Sequence, residues 1–269
     1  MILLFLGALF YYQFQHLDLE VYFLDVGQGD SILIKTPRGQ TIVVDGGPDN
    51  TLVYKLGRYL PFYQRSIDLI VATHPDSDHI LGLNEVLKRY KVKYILLTGI
   101  EHQSATYQAL LDLVAEKNIK VLDPGQVRYI SLSARSGLEI IFPFSSLMGQ
   151  TFADTNDASI LARLIYGQFS VLLTGDATLK VEAEVLARGE SVKADVLKVG
   201  HHGSDTSSGE EFLRAVSPQL AVISAGLNNK YGHPKPAVLD RLSALGIPIL
   251  TTSQLGDIRV FSNGQVYWY

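Results

Sequence analysis

The stretch Leu69-Ile-Val-Ala-Thr73-His74-Pro75-Asp76-Ser77-Asp78-His79 decides the reading of this chain. Its first half is an unbroken apolar run, as expected of a strand buried on both faces. That run opens directly into four potential metal ligands within six residues, His74, Asp76, Asp78 and His79. Imidazole nitrogen and carboxylate oxygen are donors suited to Zn, Mn or Fe. His74 and Asp76 can face one point while Asp78 and His79 face another. A strand end that opens into a helix is also where α/β sheets place their sites.

The rest of the chain sets limits on that chemistry. It has 269 residues, Lys+Arg 23 against Asp+Glu 27, 7 His, no Cys and 47% hydrophobic residues, for a net charge of -4. This is an ordinary globular composition, long enough for a single α/β domain. The absence of Cys excludes catalytic thiols, disulfides and thiolate zinc sites, so any metal is held by nitrogen and oxygen. The charge excludes nucleic-acid binding by a broad basic surface. Contact with DNA would be confined to a narrow groove near Lys198, Lys230, Lys235 and Arg38. The first fourteen residues, MILLFLGALFYYQF, carry no charge. As a helix they would extend roughly 21 Å, too short to cross a hydrocarbon core of roughly 30 Å alone. They read as the end of a membrane helix, an interfacial anchor or a buried segment, with Tyr11, Tyr12 and Phe14 as an interfacial belt or as core. Residues 1–15 are therefore set apart from a folded domain at 16–269.

Apolar runs predict strands at 19–25, 31–36, 41–45, 69–73, 94–97, 138–142, 159–166, 171–174, 196–199, 220–224, 249–252 and 257–262. Helical patterns occupy 51–60, 80–90, 104–117, 178–187, 208–216 and 236–245. Ser208 with Glu211 fits a capping box, Gly189 and Gly246 fit C-terminal caps, and Pro236 suits a first turn. The halves of the chain echo one another. Asp30-Ser-Ile-Leu returns as Asp157-Ala-Ser-Ile-Leu, IVVDGG at Asp45 as VLLTGD at Asp176, and Asp68-LIVAT-His74 as Asp195-VLKVG-His201. Three echoes in the same order predict a duplicated α/β sandwich.

The hexad, VVDGG, VLLTGD and LKVGHHGS together resemble the metallo-β-lactamase superfamily, with Asp76 standing where its hallmark has a second His. LDVGQGDSILI (Leu24 to Ile34), Asn156-Asp-Ala-Ser159 and YGHP (Tyr231 to Pro234) narrow the resemblance to the hydrolase domain of ComEC-type competence proteins. The resemblance implies a four-layer αββα fold and two divalent metal ions, Mn or Zn, the aspartate in the hexad favouring Mn. The implied ligands are His74, Asp76, Asp78, His79, a bridging Asp176, and His201 or His202, with Asp45 as structural support. No His occupies the position usual for the third nitrogen of the first site, where Asn156 and Ser159 stand, and the second His of the 201–202 pair could complete it. The three carboxylates would repel one another and have raised pKa values without cations.

Two metals would activate a water for attack at phosphorus, with no covalent nucleophile. Asp78, His233 and Asn156 are the candidate catalytic residues, His233 as phosphate donor or general acid. Lys235 and Lys198 are candidates to neutralise flanking phosphates. Asp25 and Asp30, around Gly27-Gln28-Gly29, are expected to support the ligands, and Asp49 is a candidate for a place near the mouth. The resemblance implies a DNA nuclease in uptake, acting on single strands at a membrane or membrane channel, with the domain outside the cytoplasm or, alternatively, within it. The same fold carries hydrolysis of lactams, thioesters, lactones and phosphocholine esters. A third reading is a non-catalytic module of a DNA channel.

Overall fold

The computed structural model describes residues 18–269, so the apolar segment 1–15, with Tyr11, Tyr12 and Phe14, lies outside the described residues. The first sheet contains β1 (Leu19–Phe23), β2 (Ile32–Lys35), β3 (Thr41–Val44), β4 (Ser66–Ala72), β5 (Lys91–Leu97) and β6 (Lys120–Leu122) in spatial order. Beyond β1 it is extended by β14 (Ile258–Ser262) and β15 (Tyr267–Trp268). The second sheet runs in spatial order through β7 (Tyr129–Ser131), β8 (Ser136–Phe142), β9 (Leu161–Tyr166), β10 (Phe169–Leu173), β11 (Val196–Lys198), β12 (Leu220–Ile223) and β13 (Ile249–Thr251).

Val21, Ile34, Leu69 and Leu96 of the first sheet share a core with Leu138, Leu164, Val171 and Val222 of the second. The outer face of the first sheet is covered by α1 (Thr51–Tyr59), α2 (Ser77–Arg89) and α3 (Ala105–Glu116), through residues such as Leu52, Leu83 and Leu110. The second is covered by α4 (Leu179–Ala187), α5 (Glu210–Val216) and α6 (Pro236–Ala244), through Val185, Leu213 and Leu242. The result is the four-layer αββα sandwich. Its duplication is visible in the pairing: β2 and β3 are antiparallel and β3 to β6 parallel, while β9 and β10 are antiparallel and β10 to β13 parallel. Asp45 and Asp176 follow equivalent strands, as do His74 and His201.

Each strand predicted from an apolar run is present, with ends shifted by a few residues. β6, β7 and β15 were not predicted, because they are two or three residues long and largely exposed, and so lack an apolar run. Gly189 and Gly246 have positive φ (72° and 68°) just past their helices, and Pro236 opens α6. Two helix starts differ from expectation. α2 begins at Ser77, not at residue 80, so Asp78 and His79 lie in its first turn. The capping box at Ser208 does not form. Ser208 has φ 54°, its N–H donates to Glu182 Oε1 at 2.6 Å and its Oγ accepts from Gly200 N, which leaves Gly209 to open α5. A short helix, α7 (Thr252–Leu255), follows β13. Among the described residues no helix is long and apolar enough to cross a membrane.

Candidate metal centre

The centre forms where β4, β10 and β11 end. β4 delivers His74, and the first turn of α2 delivers Asp78 and His79, where Asp78 also suits the positive end of the helix dipole. Asp76 precedes α2 without capping it, because its Oδ1 accepts from Thr155 Oγ1 at 2.6 Å. Two close backbone approaches fix this turn. A Cβ on Gly29 would lie 2.2 Å from Asp78 O, and one on Gly82 would lie 2.0 Å from Gly46 O. Only glycine allows the flanking loops to close on α2 in this way.

His201 and His202 lie in a tight turn with φ 47° and 53°, a region that costs non-glycine residues on the order of 1–3 kcal/mol each. The turn is held by Ser207 Oγ donating to Gly200 O at 2.7 Å and Ser204 N donating to His201 O at 2.8 Å. The backbone thus turns both imidazoles toward Asp176.

All four imidazoles are anchored through Nδ1. His79 Nδ1 lies 2.9 Å from Asp45 Oδ2, and His202 Nδ1 3.0 Å from Ser224 O. His74 Nδ1 lies 3.0 Å from Thr73 Oγ1, which itself donates to Asp45 Oδ2 at 2.7 Å. His201 Nδ1 lies 3.0 Å from Thr206 Oγ1. Such contacts fix the tautomer and leave Nε2 as the free donor. The Nε2 atoms of His79 and His202 each lie 3.3 Å from Asp176 Oδ2, and that of His201 lies 3.7 Å from it. His202 Nε2 is also 3.4 Å from Asp78 Oδ2, and His74 Nε2 is 3.8 Å from Asp76 Oδ2. Two donors about 2.1 Å from one ion at a tetrahedral angle stand roughly 3.4 Å apart.

Nε2 of His74, His79 and His202, Oδ1 of Asp176 and Oδ1 of Asn156 are buried without hydrogen-bond partners. Buried polar atoms left unpaired are costly unless something else satisfies them. The donor set therefore fits divalent cations. His202 presents its Nε2 to Asp78 and Asp176, and among the described ion-pair contacts it has none with Asp76.

The charge of the centre differs from the sequence expectation of raised carboxylate pKa values. Burial does push Asp176 up, but the imidazoles of His202 and His79 outweigh it and hold its carboxyl well below the usual range. Asp78 is likewise lowered, burial being overcome by His202 and His79. In turn, burial alone would lower His202, yet Asp176 and Asp30 hold it up at about 9. His79 is raised well above its usual value by Asp176 and Asp45 against the same burial penalty. His74 is lowered by burial and by the charge of His79. Alternating imidazoles neutralise the carboxylates, so repulsion does not accumulate, and cations would displace those protons.

A pH dependence follows. Groups raised in the fold stabilise it fully below their unfolded pKa, near 6.5 for His, and lose that effect as pH rises through the folded value. Metal-free protein is expected to lose stability between pH 6.5 and about 9, while cation affinity rises over the same window. Urea midpoints in chelator across that range check this, and a flat or rising midpoint would show that His79 and His202 are not charged.

Other predicted residues take distinct places. Donor atoms of Asp30, His79, Asp176 and His202 lie within 4.8 Å of one another. Asp30 is nonetheless committed elsewhere: its Oδ2 is 2.7 Å from Lys198 Nζ, and its Oδ1 is 3.3 Å from His202 Nδ1, on the side of the ring away from Asp176. Lys198, assigned to substrate phosphates on sequence grounds, is 0% exposed and cannot reach them. Asp25 Oδ1 accepts from Gly27 N and Asp49 Oδ1 from Thr51 N, so both fix loops and neither touches the histidines. Arg38 lies in the β2–β3 turn, at the far end of the first sheet, and is corrected out of any groove at the centre.

At the rim, His233 packs edge-on to His201, with ring centroids 5.6 Å apart, and stacks on Tyr231 at 5.7 Å. Burial and the neighbouring His201 and His202 lower its pKa to about 4. That direction favours the neutral ring, and with it the role of hydrogen-bond donor. Lys235 Nζ is tied to Tyr231 O at 2.6 Å and Lys230 Nζ lies over the Tyr231 ring at 4.9 Å. The Asn156–Ser159 segment braces the Asp176 turn: Asp157 accepts from Thr178 Oγ1 and Ser159 Oγ from Asp176 N.

The sequence profile of the metallo-beta-lactamase superfamily matches residues 24–226, which span the candidate ligands from His74 to His202. The chain belongs to that superfamily. Among curated relatives it is 32% identical over 257 residues to ComE operon protein 3 of Bacillus subtilis, covering 89% of this chain and 32% of that one. It is 31% identical over 240 residues to Competence protein ComA of Neisseria gonorrhoeae, covering 87% and 31%. The chain thus spans about a third of the length of these relatives. Among solved structures it superposes on CmlA, a diiron β-hydroxylase from Streptomyces venezuelae, with TM-score 0.55 and 16% identity over 91% of this chain and 54% of that one. That likeness shows the shared αββα fold. Thr73, Thr155, Thr206 and Ser224, which orient the superfamily's donors here, were not predicted. Of these, only Thr73, adjacent to His74, lies close enough in sequence to have been suspected.

Proposed function

We propose that this chain is a metal-dependent phosphodiesterase that cleaves DNA, single strands included, during DNA uptake at a membrane. One observation carries the reading: four imidazoles, each anchored through Nδ1, present Nε2 around the carboxylates of Asp76, Asp78 and Asp176. In this reading His74 and Asp76 would hold one cation and Asp78, His79 and His202 a second, with Asp176 serving both and His201 beside it, and Asn156 stays a candidate catalytic residue. The cations are Mn or Zn. When bound they supply Lewis acidity and a water of lowered pKa for in-line displacement at phosphorus.

The chain's own residues do the rest. Asp45 and Thr73 lock the tautomers of His74 and His79. Asp78 keeps its charge through His202. Neutral His233, its ring backed by Tyr231, donates a hydrogen bond to a phosphate oxygen, and Lys230 and Lys235 supply positive charge beside it. The similarity to Competence protein ComA of Neisseria gonorrhoeae supports a role in competence. Membrane association, with residues 1–15 as the attachment and 16–269 as the hydrolase domain outside the cytoplasm, belongs to the same reading.

The test is nucleotide release from end-labelled single- and double-stranded DNA with Mn, Zn, Mg or EDTA. Release that requires Mn or Zn and stops in EDTA is expected. Metal binding with turnover of a lactam, lactone or thioester, and none of a diester, would move the substrate class. Within this assay His233→Ala is expected to lower kcat/KM by about 10²-fold, the usual effect of removing one charge-stabilising donor, at unchanged metal content.

A further inference from the structure

At the end of the first sheet opposite the centre, one strand length away, roughly 20 Å, the surface has a different character. Arg38, Arg58, Arg65, Lys91, Lys117 and Lys120 are all exposed there, and among the described residues none has a carboxylate within 4.0 Å in an ion pair. They occupy the β2–β3 turn, the end of α1, the start of β4 and β5, the end of α3 and the start of β6. The surface is continuous, because Lys91 N donates to Arg65 O at 2.9 Å and Gln64 Nε2 donates to Thr41 Oγ1.

Its midpoint is the Pro61–Arg65 loop, where Phe62 is 87% exposed and Tyr63 73%. On one side of that loop lies a concavity of about 1330 Å³, lined by Arg38, Arg58, Arg135 and Tyr63 and also by Asp18, the residue through which the uncharged N-terminal stretch joins the fold. On the other side lies a second concavity, lined by Lys88–Tyr94 and Lys117–Lys120. The carboxylates facing this surface are Glu20, Asp68 and Glu85, each already paired with a Lys or Arg, together with Asp18 and Glu116.

On a chain of net charge -4, unpaired cations have gathered around a protruding apolar tip, at the end where uncharged residues enter. We propose that this end is the face on which the domain rests against an anionic lipid surface. Acidic phospholipid headgroups meet the cations, Phe62 and Tyr63 enter the headgroup region, and the metal centre faces away from the bilayer. Each basic side chain near such a surface adds electrostatic attraction, and exposed aromatics supply the apolar contact. The phosphates of a strand held here would lie a strand length from Asp176, which favours lipid over DNA as the occupant. The inference rests on the membrane part of the proposed function and not on its nuclease part.

The test uses the full chain carrying Phe62→Trp in a Trp268→Phe background, so that emission reports the loop itself and not the N-terminal stretch. Phosphatidylglycerol vesicles are expected to shift emission to shorter wavelength. Phosphatidylcholine vesicles should shift it far less, and added salt should reverse the effect. Lys91→Glu/Lys117→Glu/Lys120→Glu is expected to weaken partition onto phosphatidylglycerol at least tenfold, by about 1.4 kcal/mol or more, and to leave cation affinity unchanged. Emission that ignores phosphatidylglycerol, that shifts equally on both lipids and in the charge variant, or that responds to single-stranded DNA and not to vesicles would overturn the proposal.

Discussion

Asp176→Ala is expected to lower kcat/KM on DNA by at least about 10³-fold, a loss of roughly 4 kcal/mol in transition-state stabilisation, and to take most of the bound cation with it. The expectation rests on where this carboxylate lies. Nε2 of both His79 and His202 approach the same oxygen at 3.3 Å and His201 approaches it at 3.7 Å, while the other oxygen is buried with no partner. In the proposed reading this carboxylate serves both donor sets, so its loss would leave neither complete. The same side chain is the first charge that holds His202 and His79 protonated against burial. In chelator, therefore, Asp176→Ala should also flatten the loss of stability between pH 6.5 and 9 that the parent protein shows. Asp176→Asn keeps the shape without the charge and should fall between the two. Elemental analysis, calorimetric metal titration and the end-labelled DNA assay check these outcomes. Full cation content with activity within tenfold of the parent would show that Asp176 is not shared.

The fold and the centre were legible in the sequence to different degrees. The buried strands β4, β10 and β11 announce themselves as continuous apolar runs, and the candidate ligands follow them directly, so the placement of His74, Asp176 and the His201–His202 pair at strand ends could be read from period and punctuation. The duplication was legible for the same reason, since the repeated motifs fall at strand ends. What could not be read is how the side chains pair across the centre. The sequence shows three neighbouring carboxylates and suggests repulsion. Only the fold shows that His79 and His202 stand beside Asp176, and His202 beside Asp78, which reverses the direction expected for Asp78 and Asp176. Likewise Thr206 and Ser224 orient His201 and His202 through a turn with two successive left-handed residues, a conformation for which non-glycine sequence gives no signal. Lys198 misled because a Lys beside a catalytic motif suggests a phosphate contact. Its neighbours in Val196-Leu-Lys-Val199 were the better guide, since a Lys within an apolar parallel strand must be buried and paired.

That pair yields a second large effect, this one on stability. Lys198 is 0% exposed and Asp30 2%, with Nζ to Oδ2 at 2.7 Å. Burial would raise Asp30, but Lys198 first and His202 second hold its carboxyl at about 2. Lys198→Met is expected to destabilise the fold by about 3–5 kcal/mol, because removing one partner of a buried ion pair strands the other charge. Its aliphatic stem, unlike the charge, is replaced by Met, so the loss reports the uncompensated carboxylate more than a cavity. Adding Asp30→Leu should recover most of that stability, since an apolar pair of similar volume often matches a buried ion pair. The double variant should not recover function to the same extent. Asp30 also faces His202 Nδ1 at 3.3 Å, and losing such an outer partner of a liganding imidazole weakens cation binding about 10- to 100-fold. Urea unfolding of the parent, the two single variants and the double variant gives the coupling energy, and metal titration of the double variant gives the affinity. Were Lys198→Met as stable as the parent, Asp30 would have taken up a proton at little cost, and the ion pair would not organise this side of the centre. Were the double variant to bind cations with parental affinity, Ser224 O alone would suffice to hold the His202 ring.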